Sequence, residues 1–135
     1  MANENAELIE VLNQALSAEY GTLFVLPRHM AEIADEETKR QLKLIAEVEL
    51  EHAEKTAQMI VSLGGVPKGD LPNLQVRSGV KAILEAHLQG EKEAIVTYRR
   101  AVALCKDPAM REQLEGLQRD EEGHQRLIER TLARL

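Results

Sequence analysis

The chain contains no tryptophan, one phenylalanine, two tyrosines and a single cysteine, Cys105. Alanine, leucine, glutamate and arginine dominate instead, a usage that favours long helices over sheets. One cysteine excludes an intrachain disulfide framework and fits a reducing compartment. No apolar run approaches the roughly 20 residues that a membrane span requires. The opening stretch MANENAELIEV lacks a basic segment followed by an apolar one, so no export signal is expected. The net charge of −6 argues against nucleic acid as a generic partner, because phosphate binding needs clustered Lys and Arg. A length of 135 residues suits one domain with a real hydrophobic core. The expectation is a cytoplasmic, all-α chain forming a single domain over 1–135, with no nucleic-acid or membrane partner.

What is present is periodic. Apolar residues recur at alternating three- and four-residue steps, the helical template. A first helix over about 5–33 presents Leu8, Leu12, Leu16, Leu23, Leu26, Met30 and Ile33, with Pro27 expected to kink it. Asp35 reads as an N-cap, with Glu36 and Glu37 suited to the positive end of the next helix. The second seam is Leu42, Ile45, Thr56, Met59 and Leu63, and Gly64-Gly65 ends it. A third helix over 79–105 carries Ile83, Leu84, Leu88, Ile95, Tyr98 and Val102. Asp107-Pro108 is a strong start signal for a fourth, through Met110, Leu114, Leu117, Ile128 and Leu135.

Short turns make the first two helices, and the last two, antiparallel hairpins, 5–64 and 79–135. The connection between them runs over 65–78. At about 3.3 Å per residue it reaches about 45 Å, close to the ~42 Å of a 28-residue helix. The predicted architecture is a four-helix bundle with a long crossover between helices 2 and 3.

Every seam is interrupted by polar residues. Glu49 and His52 fill the gap on the second helix and Glu121 and His124 on the fourth; Glu19 fills it on the first and Glu91 on the third. The separations repeat: Glu49 follows Glu19 at the same interval as Glu121 follows Glu91. Sliding the chain along itself until Glu19 falls on Glu91 also places Glu49 on Glu121, His52 on His124, Leu12 on Leu84 and Asp35 on Asp107. Measured from the turns, all six polar groups lie near mid-bundle and should share one core cavity. Four buried carboxylates repel one another and each is costly to leave unpaired. Two divalent cations supply matching positive charge, and neutral imidazoles complete the coordination. A Glu from each of two helices with a Glu-x-x-His from the other two is the general pattern of dinuclear carboxylate bundles. Iron, manganese and zinc all accept this donor set.

Over residues 8–132 the sequence resembles the ferritin-like superfamily, closest to bacterioferritin, through LNQALSAE, the Glu49/His52 pair followed by GGVP, and DEEGH. The resemblance implies a ferritin-like fold and two iron ions per chain, with manganese or zinc as alternatives. It also implies metal ligation by Glu19, Glu49, His52, Glu91, Glu121 and His124, with Glu49 and Glu121 bridging. The implied reaction is oxidation of ferrous iron by dioxygen or hydrogen peroxide. The alternatives are another dinuclear oxidoreductase, such as a rubrerythrin-like peroxidase or manganese catalase, and a non-enzymatic metal-binding bundle. The haem-ligating methionine of bacterioferritins is replaced by Leu50, so no haem is expected. The family aspartate four residues before each ligand histidine is kept as Asp120 but is Val48 on the second helix, leaving one histidine without an acceptor. Rubrerythrins carry a further glutamate where Ala94 stands, and no Cys-x-x-Cys is present. The stretch from Gln125 to Leu135 is too short for a fifth helix after the fourth, and a homo-oligomer, favouring a dimer, is expected. Tyr98 lies on the face of Glu91, as a half-buried core residue or a hydrogen-bond donor to the site; His29 and His87 read as surface or rim residues.

Overall fold

The computed structural model describes residues 3–74 and 76–135; Met1 and Ala2, in the opening stretch, and the crossover residue Gln75 lie outside the described residues. Helices α1 (Ala6–Ala31), α2 (Glu36–Ser62), α3 (Val80–Leu104) and α4 (Pro108–Ala133) follow one another. Their ends obey local chemistry. Asp35 leaves the helical backbone and its carboxylate accepts from the Thr38 N–H at 2.9 Å, satisfying a donor that has no partner within the helix. Asp107 does the same for Met110 at 3.2 Å, and Pro108 occupies the first turn, where a missing N–H breaks no helical bond. α2 is closed by Gly64 at a φ of 85°, a conformation that favours glycine. α1 continues through Pro27 but ends at Ala31, short of the predicted residue 33. α4 ends at Ala133, so Leu135, expected in the fourth seam, is 60% exposed instead.

Two apolar clusters fill the bundle. The first gathers Leu8, Leu12 and Leu16 of α1 with Met59 and Ile60 of α2, Tyr98 of α3 and Leu114 of α4. The second gathers Ile33, Leu42, Ile45, Ile83, Leu84 and Ile128. The start of α1 therefore meets the end of α2, the end of α3 and the start of α4, and the other cluster reverses every one of these relations. Neighbouring helices are all antiparallel, and the chain between α2 and α3 must run the length of the bundle, as in ferritin-like folds.

That crossover is strapped along α1. Asn13 donates to the Val66 carbonyl at 3.3 Å and accepts from the Lys68 N–H at 2.9 Å. Pro72 sits so close to Gly21 that a β-carbon there would lie 2.7 Å from the proline ring. Further on, His29 Nε2 accepts from the Arg77 N–H at 3.2 Å. Its proton is therefore on Nδ1, which donates to His87 Nε2 at 3.1 Å. This corrects the expectation of a surface or rim position for His29, which is 1% exposed, while His87 is half-buried in the wall of a cavity. The crossover covers His29, and it has no periodicity from which its path could be read. Burial pushes the pKa of His87 down to about 4 and lowers that of His29 as well, so the pair is neutral at physiological pH.

The caps give a first prediction. Asp107→Ala should destabilise the metal-free protein by about 1 kcal/mol and lower its melting temperature by about 4 °C, measured by loss of helical circular dichroism. An unchanged melting temperature would show that the Asp107 carboxylate does not cap α4.

Candidate metal centre

Between the two apolar clusters lies one polar layer, built from a single turn of each helix. α1 supplies Glu19, α2 Glu49 and His52, α3 Glu91, and α4 Glu121 and His124. Each Glu and His on α2 and α4 are three residues apart and so face the same way. The four carboxylates and His52 are at most 5% exposed, and the His124 side chain is 12% exposed. The structure thus brings together all six residues singled out in the sequence.

They fall into two overlapping sets. Glu19, Glu49, His52 and Glu121 each offer one atom, all within 4.8 Å of one another. Glu49, Glu91, Glu121 and His124 do the same. Glu49 and Glu121 belong to both, the arrangement required of carboxylates that bridge two ions. His52 Nδ1 lies 2.8 Å from Glu121 Oε1, without hydrogen-bond alignment. His124 Nδ1 lies 2.8 Å from Glu49 Oε1, and 3.6 and 3.7 Å from Glu91 and Glu121. Glu19 Oε2, Glu91 Oε2, Glu121 Oε1 and His52 Nδ1 are buried with no hydrogen-bond partner. Such orphaned atoms are rare in folded proteins, and carboxylate oxygens and imidazole nitrogens are metal-ligating atoms. Their donor chemistry fits a pair of divalent ions.

Without metal, protons take that role. Burial pushes Glu91 up to about 9 and Glu121 up to about 8, assisted by the neighbouring carboxylates. Burial likewise raises Glu19, well above the usual carboxylate range, and Glu49. For His52 burial opposes the charge, but the close carboxylates of Glu121, Glu19 and Asp120 outweigh it and raise its pKa to about 11.

Three further side chains hold the layer. Tyr98 is fully buried rather than half-buried and donates to Glu19 Oε1 at 3.0 Å. Thr56 meets the Tyr98 hydroxyl at 3.3 Å. Its signal in the sequence was a threonine in an otherwise apolar seam. Asp120 accepts from His52 Nε2 at 2.9 Å. The aspartate four residues before one histidine therefore serves the other, across the bundle. It is His124 that has no carboxylate behind its ring among the described residues. Between α1, α3 and the crossover a cavity of about 580 Å³ reaches the layer, with Glu19, Glu49, Glu91 and Glu121 in its wall and His29 and His87 beyond them.

An antiparallel four-helix bundle with a full-length crossover and two carboxylate-sharing ligand sets defines the dinuclear carboxylate class of protein. Comparison with known proteins agrees. The ferritin-like domain family matches residues 6–135. Bacterioferritin of Brucella melitensis biotype 1 is 31% identical over 133 residues, covering 93% of this chain and 83% of that protein. Bacterioferritin of Rhodobacter capsulatus is 31% identical over 136 residues, covering 96% and 84%. A ferritin-like, diiron-carboxylate protein from Bacillus anthracis str. Ames superposes with a TM-score of 0.88 at 28% identity, covering 98% of this chain and 99% of that one. The Desulfovibrio desulfuricans bacterioferritin, described with a diiron site, superposes at 0.87 with 27% identity, covering 98% and 83%. The chain belongs to the ferritin-like family, near bacterioferritin. Among the described residues no helix is long and apolar enough to cross a membrane.

Proposed function

We propose that this chain is a dinuclear iron protein that oxidises ferrous iron with dioxygen or hydrogen peroxide. The observation that carries the reading is the pair of four-residue sets sharing Glu49 and Glu121, with buried orphaned atoms aimed between them. Glu19 and His52 would complete one metal position, Glu91 and His124 the other. Two adjacent ferrous ions supply two electrons together, which avoids one-electron reduction to superoxide. The chain's own part is to hold both ions in one buried layer, to release protons as they enter, and to admit a small oxidant through the cavity between α1 and α3. Leu50 on α2 offers no thioether, so haem has no part in this reading. The exposed Phe24, Leu50 and Val61 give α1 and α2 surface for a second copy, and we take the protein to be a cytoplasmic dimer.

Manganese or zinc would fit the same donors, so the reading is tested by turnover and not by binding alone. Ferrous iron is added anaerobically to metal-free protein and air is then admitted, with ferric iron followed by its near-ultraviolet absorbance. The expected result is a fast phase whose amplitude saturates at about two irons per chain, the capacity of the Glu/Glu-x-x-His pattern. Oxidation no faster than in buffer would leave a non-enzymatic metal-binding bundle as the better account.

A further inference from the structure

The internal repeat makes the two halves of the metal layer comparable residue by residue, and they are not alike. The register that exchanges Glu19 with Glu91 also exchanges Glu49 with Glu121 and His52 with His124. The same register takes Asp120 to Val48, Tyr98 to Leu26 and Thr56 to Ile128. Every polar member of these three pairs supports the Glu19–His52 half. Asp120 fixes His52 through Nε2, Tyr98 fixes Glu19 through Oε1, and Thr56 fixes Tyr98. Every counterpart is apolar. Leu26 and Ile128 belong to the second apolar cluster, and Val48 is half-buried. Exposure divides the same way, with the His52 side chain at 1% and that of His124 at 12%.

We infer that the two metal positions are unequal by construction: Asp120 and Tyr98 are positioning residues that preform the Glu19–His52 position, which fills first and holds its ion, while the Glu91–His124 position exchanges. This rests on the dinuclear reading above and adds an order to it. A histidine whose far N–H is held by a carboxylate has its tautomer and ring plane set, and its ligating nitrogen is more basic. Among the described residues His124 has no carboxylate on its far nitrogen. Its bond to Glu49 at 2.8 Å is made by Nδ1 and is given up when that nitrogen ligates, so the rotamer freedom lost on binding weakens this position. For a protein whose substrate is an iron ion, the looser position is the one through which iron enters and leaves.

The test titrates metal-free full-length protein anaerobically with Mn(II), followed by electron paramagnetic resonance. At one equivalent the expected spectrum is the six-line signal of an isolated ion. At two it gives way to the broad signal of an exchange-coupled pair, with binding constants at least about tenfold apart. Asp120 is half exposed, so Asp120→Asn leaves the fold intact. It should weaken the first step about tenfold and leave the second unchanged, whereas Asp120→Glu keeps the gap. Val48→Asp, placing a carboxylate behind His124, should tighten the second step. Coupled pairs from the first equivalent onward, or an Asp120→Asn variant weakened equally at both steps, would overturn the inference while leaving the dinuclear site in place. Failure to bind Mn(II) at all would remove both.

Discussion

Replacing Glu121 by alanine is expected to abolish binding at both metal positions, whereas replacing Glu19 or Glu91 should empty mainly one. Glu121 and Glu49 are the two carboxylates common to the paired sets, so removing either takes a ligand from each ion at once. The loss should exceed the ~10–100-fold change typical of residues that only support a metal ligand. Glu49→Ala should match Glu121→Ala, while Glu19→Ala should retain an ion beside His124 and Glu91→Ala one beside His52. Isothermal titration with Mn(II) under anaerobic conditions reads all four variants by stoichiometry. A Glu121→Ala protein that still binds one equivalent with wild-type affinity would show that the carboxylate does not bridge. The metal-free variants should lose little stability. Each removes a buried group that is poorly partnered without metal, so its removal offsets part of the cavity it leaves.

A second large effect concerns pH, and its sign depends on whether metal is present. In the metal-free protein Glu91 and Glu121 have folded pKa values of about 9 and 8, above the ordinary 4.5. The folded state therefore binds more protons than the unfolded chain between about pH 4.5 and 9. The stability these protons confer is fully present below the unfolded pKa and is lost as pH rises through the folded values. His52, raised from 6.5 to about 11, acts in the same direction over its own window. Metal-free protein should thus melt at progressively lower temperature from pH 5 to pH 9. Metal replaces those protons, and competition between them fades as pH rises. The stabilisation by saturating Mn(II) should be largest near pH 8–9, about 10 °C or more in melting temperature, and shrink toward pH 5. Calorimetric scans with and without chelator across this range check both curves. A metal-free melting temperature that climbs from pH 5 to pH 8 would contradict the buried, protonated carboxylates.

The features that could be read in advance are those with a period. Helix seams repeat at three- and four-residue steps. An interruption at the same offset in each seam, copied from the first hairpin into the second, was enough to locate the six polar groups of the central layer. Caps were legible at Asp35 and Asp107 because a side chain bonding three residues ahead is a local event. What escaped was interhelical or aperiodic. Asp120 lies one turn before His124 in sequence, but α4 turns it toward His52 on the neighbouring helix. His29 is buried by a crossover whose course follows from individual bonds and contacts to Asn13, Gly21 and His29, and no pattern announces them. The mismatch of Asp120 with Val48 was legible in the sequence, but the half it favours followed only from the partners of Tyr98, Thr56 and Asp120.

The distribution of the six groups over the two hairpins bears on how the chain folds. The α1–α2 hairpin carries Glu19, Glu49 and His52, three of the four members of one set, and needs only Glu121 from its partner. The α3–α4 hairpin carries Glu91, Glu121 and His124 and needs only Glu49. Each hairpin forms from contacts close in sequence, which are the fast ones, whereas docking must close the long crossover loop. Docking also brings two pairs of carboxylates face to face in a shrinking, water-poor gap. Were either hairpin to hold a cation before docking, the approaching glutamate of the other would meet attraction in place of repulsion, and metal present during refolding is expected to speed collapse as well as to fill the finished site.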